Sequence, residues 1–266
     1  IADGKTDNTA AFQQALDDAY KAGGGTVRVP AGTYLISSHL GVSYNTALVG
    51  DWEAPPAPTK LNSETGEVDV GLNASEALLA GTVLLAIEGA GDETGTPFIQ
   101  MQRNATLKGL IIYYPEQKPG EAPVAYPWTV RGSGDNISLI DCLFVNPYMA
   151  VDFGTQPCGR HYIRNLYAQA LYKGLFVDKC YDVGRLENIH FWPFWTAHVV
   201  TGPDGGIGDW MAKNSTAFIL SRSDWEYVTN CFAISYYQGF HFKTSAPDGP
   251  GNYLLTSSGP VTVTSP

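Results

Sequence analysis

The sequence predicts an all-β fold, a parallel β-helix preceded by one α-helix. Three observations carry that expectation. A short pattern recurs along the second half of the chain, asparagines return at one place within it, and an amphipathic stretch precedes it.

The amphipathic stretch comes first in the chain. Phe12, Ala15, Leu16, Ala19 and Tyr20 recur at the spacing of one helical face. Asp7, Asn8 or Thr9 can cap its start, and Gly23-Gly24-Gly25 stops it, which predicts a helix near residues 9–21. Val27 and Val29 then alternate, Pro30 ends that run, and Ala31-Gly32 turns the chain into Tyr34-Leu35-Ile36.

The repeat occupies the second half. Leu107-Lys-Gly-Leu110, Leu139-Ile-Asp-Cys142, Ile163-Arg-Asn-Leu166, Leu186-Glu-Asn-Ile189 and Val228-Thr-Asn-Cys231 share one form. Each reads aliphatic, variable, Gly/Asp/Asn, then a residue suited to a core. Nine residues after four of these starts comes an aromatic, a variable and a small residue: Tyr148-Met-Ala, Tyr172-Lys-Gly, Trp195-Thr-Ala and Tyr237-Gln-Gly. The steps from 139 to 163 and from 163 to 186 are nearly equal, while the steps before and after are longer. Regular coils interrupted by insertions near 115–126 and 201–215 explain this. A sandwich would not keep a fixed offset across four coils.

That register assigns faces. Asn165, Asn188 and Asn230 should stack at one bend, since asparagine tolerates the left-handed backbone that a bend requires. Cys142 and Cys231 fall at inward positions and read as inert core thiols. Cys158 and Cys180 lie before the starts of successive coils. Coils stacked about 4.8 Å apart allow a bridge between them.

The entry segment resembles the pectate-lyase-like superfamily, its rhamnogalacturonase/epimerase-like group. Asp3, Gly4, Thr6, Asp7, Thr9, Ala10, Phe12, Gln13 and Ala15 match the first part of that group's N-terminal pattern. Gly24, Gly25, Thr26, Val27, Val29, Pro30, Gly32, Thr33 and Tyr34 match the second. The resemblance implies a single-stranded right-handed parallel β-helix, pectin-lyase-like, whose helix covers backbone groups that would otherwise recruit another chain. The continuation YLISSHLGVSYNTALVGD is similar, over a short run, to the β-helical exo-β-1,3-glucanases. The family's catalytic patterns are missing: no Asn-Thr-Asp, Gly-His-Gly and Arg-Ile-Lys series, and no Asp-Pro-His-Glu. The resemblance therefore implies a fold and a carbohydrate context, and brings no catalytic residue with it.

The chain reads as one β-helix domain over 1–266, a piece of a longer protein. Residues 1–37 would hold the cap and first strands, 38–104 early coils and loops, and 105–266 regular coils with insertions. A second β-helix of the parent chain is an expected neighbour. The net charge of −10 argues against nucleic acid or an anionic membrane as partner, because both require a basic face. No apolar run reaches the roughly 18 residues of a membrane span. Sequons at Asn73, Asn104, Asn136 and Asn214 favour a secreted, extracellular protein.

Candidate chemistry concentrates around the stretch LENIHFWPFW. One outward column would run Lys108, Ile140, Arg164, Glu187, Thr229; a second Ile111, Leu143, Tyr167, His190, Phe232; a third Asp152, Phe176, Val199, His241. Glycoside hydrolysis needs two carboxyl groups, and Glu187 with Asp178 or Asp182 would supply them. Trp192 and Trp210 would stack on sugar rings. Elimination from a uronic acid instead needs a base, Tyr167 or His190, and a cation for the substrate carboxylate, Arg164 or Arg185. The plainer readings stand beside these. Arg164–Glu187 would be a surface ion pair, Tyr167–His190 cross-coil packing, and Trp195 a scaffold aromatic. The expected function is a glycoside hydrolase acting on a polysaccharide. The alternatives are a polysaccharide lyase and a non-catalytic glycan-binding or structural β-helix. No Cys/His cluster has zinc spacing and no Asp-rich loop marks calcium, so no cofactor is expected, with calcium reserved for the lyase.

Overall fold

The computed structural model describes residues 1–52, 80–117, 122–192 and 206–245, with the backbone of two short strands at 59–61 and 68–70. In chain order the elements are β1 (Asp3–Asp7), α1 (Thr9–Lys21), β2 (Gly25–Arg28), β3 (Gly32–Ile36), β4 (Leu40–Val42) and β5 (Thr46–Val49). There follow β6 (Thr59–Leu61), β7 (Val68–Val70), β8 (Thr82–Ala86), β9 (Ile99–Gln102), β10 (Thr106–Lys108), β11 (Ile111–Tyr113) and β12 (Trp128–Ser133). Next come β13 (Ser138–Val145), β14 (Met149–Phe153), β15 (Tyr162–Ala168), β16 (Lys173–Val177) and β17 (Cys180–Phe191). The last are α2 (Ile207–Asn214), β18 (Thr216–Leu220), β19 (Ser223–Thr229), β20 (Phe232–Ala233) and β21 (Gln238–Phe242).

Apart from an antiparallel β6–β7 pair, the strands pair in parallel and wind a right-handed, three-sided β-helix. The first side stacks β2, β5, β10, the first halves of β13, β15 and β17, and then β19. The second stacks β1, β3, β8, β11, the later halves of the same three long strands, and β20. The third stacks β4, β9, β12, β14, β16, β18 and β21. The described residues thus form seven coils.

Inward positions of the first side line up as Val27, Leu48, Leu107, Leu139, Ile163, Leu186 and Val228. The middle five are at most 1% exposed, each contributing about 1.5–3 kcal/mol by leaving water. The aliphatic starts seen in the sequence are this ladder, and it continues through two earlier coils. Regular winding therefore begins at β2, well before residue 105.

The bend between first and second sides is the predicted asparagine position. Gly109, Asp141, Asn165, Asn188 and Asn230 follow one another there, all with positive φ of 53–68°. Asn188 Nδ2 donates to Asn165 Oδ1 at 2.7 Å, and Asn165 Nδ2 donates to Asp141 Oδ1 at 2.6 Å. A second ladder, unforeseen, turns the chain into the first side: Asn136 donates to Asn104 and Asn104 to Asn45, at 3.0 and 2.8 Å. Two of the four sequon asparagines are therefore engaged as coil-stacking residues.

The helix α1 closes the first coil, burying Phe12 and Leu16. Gln13 lies against β4, accepting from Gly41 N–H at 2.8 Å and donating to Gly41 O at 3.2 Å. One amide side chain thus satisfies the backbone that another strand would have paired.

Two expectations need correction. The third strand of the sixth coil is β18, with Lys173 paired to Thr216 and Phe176 to Ile219. The slot assigned to Trp195-Thr196-Ala197 is filled by Ser215-Thr216-Ala217, and the third column passes through Ile219 where Val199 was expected. Two Thr-Ala pairs, Thr196-Ala197 and Thr216-Ala217, made the sequence ambiguous. The insertion spans 192–215, and Trp195 and Val199 lie outside the described residues. Cys158 and Cys180 are free thiols. Cys180 Sγ donates to the Asp182 carbonyl at 2.7 Å, and both thiols interact with the His161 ring between them in the fold.

Candidate functional site

The first two predicted columns are reproduced residue for residue, yet the predicted site residues do not gather. Glu187 and Arg185 are exposed on the first side. Glu187 takes the Tyr162 hydroxyl at 2.7 Å, and burial followed by that bond raises the Tyr162 phenol above its usual range. Arg164 is beside Glu187 in register, but the pair is not among the ion pairs of the described residues; its Nε is buried without a partner.

The proposed carboxylate partners are elsewhere. Asp178 follows the third side and is 2% exposed. Its Oδ1 accepts from the backbone N–H groups of Lys179 and Arg222 at 2.8 and 3.2 Å. Asp182 shares β17 with Glu187 but is five residues away, about 16 Å along an extended strand. Glycosidase carboxyls stand roughly 5–10 Å apart. Asp182 instead approaches Arg160 at 3.7 Å. Neither aspartate pairs with Glu187.

Tyr167 and His190 point out of the coil but into an apolar cover. Tyr167 packs edge-on against Trp52 and His190, with centroids at 6.0 and 5.2 Å. His190 also meets Phe232 at 4.4 Å. Burial raises the Tyr167 phenol and lowers the His190 imidazole. The raised phenol makes Tyr167 a poor base near neutrality. Trp192 packs against the same cluster. The packing reading of Tyr167–His190 describes the geometry.

A different grouping appears where the second side turns into the third. In the fourth and fifth coils this corner is tight, residues 146–148 and 169–172. In the second, third and sixth coils it is long: 87–98, 114–127 and 192–215. The first two loops are joined by Gly91 N–H to Ala125 O at 2.8 Å. The third carries α2.

Long loops from both directions thus meet over two short turns that carry Tyr148 and Tyr172. Those rings lie 5.1 Å apart, and Trp210 of α2 approaches them at 6.5 and 5.9 Å. Tyr148 donates to the exposed Glu93 at 3.4 Å, and burial, reinforced by Glu93, pushes its phenol far up. Lys173 Nζ stands 4.4 Å from the Tyr172 centroid. In the sequence Trp210 stands in an insertion, Tyr148 and Tyr172 stand as repeat aromatics of the scaffold, and Glu93 belongs to no repeat or motif. The available signal was that two insertions leave the repeat at the same corner. Among the described residues, His161, Cys180 and Glu226 form a separate grouping with ligand atoms within 4.8 Å of one another.

A three-sided parallel β-helix with a helical N-terminal cover defines a pectate-lyase-like protein. Residues 1–183 match the family of rhamnogalacturonase A/epimerase, pectate lyase-like, and the chain belongs to that family. Among curated proteins it is similar to alginate lyase 7 of Azotobacter vinelandii, 63% identical over 35 residues. Those residues are 13% of this chain and 4% of that protein. Mannuronan C5-epimerase AlgE5 of the same organism is 60% identical over 37 residues, 14% of this chain and 4% of the epimerase. The matched segment is thus a small fraction of these relatives. Among solved structures, the A-module of A. vinelandii mannuronan C-5 epimerase AlgE4 superposes with a TM-score of 0.48 and 15% identity. That superposition covers 86% of this chain and 56% of the module.

Proposed function

We propose that the chain is a secreted, carbohydrate-active β-helix that takes a polysaccharide at the aromatic corner and hydrolyses its glycosidic bonds. The observation that supports this reading is the meeting of Trp210 with Tyr148 and Tyr172 between the long loops, beside the exposed carboxylate of Glu93. Flat rings with polar rims suit sugar faces, and a carboxyl group beside them can protonate a leaving oxygen. Glu116, on the loop tied to that of Glu93, is the candidate second carboxylate. Hydrolysis of this kind needs no cofactor. Lyase action is the second reading, favoured by the Lys173 ammonium at the same corner, which could neutralise a uronate, and by the lyase and epimerase names of the relatives. Calcium enters only in that reading.

The test is incubation of the purified chain with neutral and uronate polysaccharides. New reducing ends without unsaturated, ultraviolet-absorbing products support hydrolysis, and absorbing products move the assignment to a lyase. Binding with neither signal leaves a non-catalytic glycan-binding protein. Activity lost in Glu187→Gln and kept in Glu93→Gln and Trp210→Ala would move the site to the first side.

A further inference from the structure

The inward column two residues before the aliphatic ladder changes character along the stack. After Gly25 and Thr46 it runs through Ala105 and Ile137, both fully buried, and continues with His161, Gly184 and Glu226 in coils five, six and seven. His161 and Glu226 are two coils apart, too far to meet across an ordinary side chain. Gly184 leaves the gap: a Cβ there would collide with the Glu226 carboxylate. Through it His161 Nε2 reaches Glu226 Oε1 at 2.8 Å, with the histidine side chain 0% and the glutamate 10% exposed.

The surroundings orient both groups. His161 Nδ1 faces the Cys158 carbonyl at 2.8 Å, which fixes the ring and directs Nε2 toward the carboxylate. Ser223 Oγ donates to Glu226 Oε2 at 2.9 Å. The Cys180 thiol, 0% exposed, completes the set, its Sγ within 4.8 Å of the other two ligand atoms. A ring nitrogen on a backbone carbonyl and a carboxylate held by a hydroxyl are the supports that orient metal ligands.

We propose that His161 Nε2, Cys180 Sγ and a Glu226 carboxylate oxygen form a binding site for a zinc-class divalent cation, clamping coils five, six and seven together. Bonds of about 2.0–2.3 Å in a tetrahedron put donors about 3.5 Å apart. That spacing falls between the 2.8 Å His–Glu contact and the 4.8 Å outer limit of the group. Nitrogen, thiolate and carboxylate together select zinc over calcium or magnesium, which take oxygen. On binding, Cys180 releases its thiol proton and His161 any proton on Nε2, so the ion is held by a neutral imidazole and two anions.

The experiment uses the full chain, stripped with chelator and kept reduced, titrated with Zn2+ against a chromophoric chelator and separately with Co2+. The expected results are one ion per chain and a thiolate-to-cobalt charge-transfer band. Cys180→Ser should abolish the band, and Glu226→Gln should weaken binding about a hundredfold or more, beyond the 10–100-fold cost of losing an outer-shell partner. Cys142→Ser, a buried thiol outside the group, should change neither. Should Cys180→Ser fail to fold, the wild-type cobalt spectrum and Glu226→Gln decide. Sub-stoichiometric binding, a missing thiolate band, affinity unchanged in both variants, or a Cys158–Cys180 disulfide in the purified chain would each overturn the site.

Discussion

Two corners of the same coil behave in opposite ways. From the third coil to the seventh, the bend between first and second sides keeps one register, occupied by Gly109, Asp141, Asn165, Asn188 and Asn230 with nearly constant φ; in the first two coils the same corner takes residues 29–31 and 50–81. The corner between second and third sides runs from three residues in the fourth coil to an insertion over 192–215 in the sixth. Within those coils the side chains of Asp141, Asn165 and Asn188 are bound to one another from coil to coil, so a change in length there would break a ladder. At the second, the chain leaves the stack at little cost, because loop closure grows only slowly with length. The constant corner holds the coils together; the variable one gathers Trp210, Tyr148, Tyr172 and Glu93.

Four measurements test that division. Glu93→Gln at the variable corner should lower kcat on the substrate polysaccharide about 10²–10⁴-fold with no change in Tm, since Glu93 is exposed. A large Tm loss would mark Glu93 as scaffold. Leu139→Ala, in the ladder beside the constant bend, should cost about 2–5 kcal/mol in denaturant unfolding. Asn165→Ala should cost about 1–3 kcal/mol, from lost hydrogen bonds and a left-handed backbone that alanine resists. Asn165→Gly keeps that backbone and should cost less; an equal loss would assign the whole effect to the side-chain ladder.

The smallest effect lies outside both corners and serves as a control. Asp7 accepts the hydroxyls of Ser37 and Thr9, both at 2.6 Å, and Thr9 N–H at 3.0 Å. These bonds hold its carboxyl well below the usual range. A depressed folded value means the contribution is present above the unfolded pKa of about 3.9 and is lost as pH falls through the folded value. Asp7→Asn should flatten the acid limb of a stability–pH profile without altering activity. An unchanged limb would show that Asp7 is already protonated or unpaired in solution.

The constant parts of this molecule were readable in its sequence because stacking repeats them. Leu107, Leu139, Ile163 and Leu186 announce the ladder, and Asn165, Asn188 and Asn230 announce the bend. The pairing of Arg164 with Glu187 and of Tyr167 with His190 follows from the same register. Which outward residues reach solvent was not readable, since Tyr167 is buried under Trp52, a residue of an earlier coil. The sixth coil went astray because Thr196-Ala197 and Thr216-Ala217 satisfy the same local pattern, and only cross-coil pairing chooses between them. Glu93 and Trp210 belong to loops far apart in sequence, joined by a corner that carries no periodic signal. His161, Cys180 and Glu226 have no motif spacing for a related reason: each comes from a different coil.

In stacked repeats each unit ordinarily senses only the units directly above and below, so the stack loosens one layer at a time from its ends. Gly184 suspends that rule locally. Because it has no side chain, the seventh coil holds the fifth directly through Glu226 and His161. Peeling off the last coil therefore leaves the buried His161 ring, two layers down, without its carboxylate partner, and the final three layers should open as one cooperative block rather than in sequence.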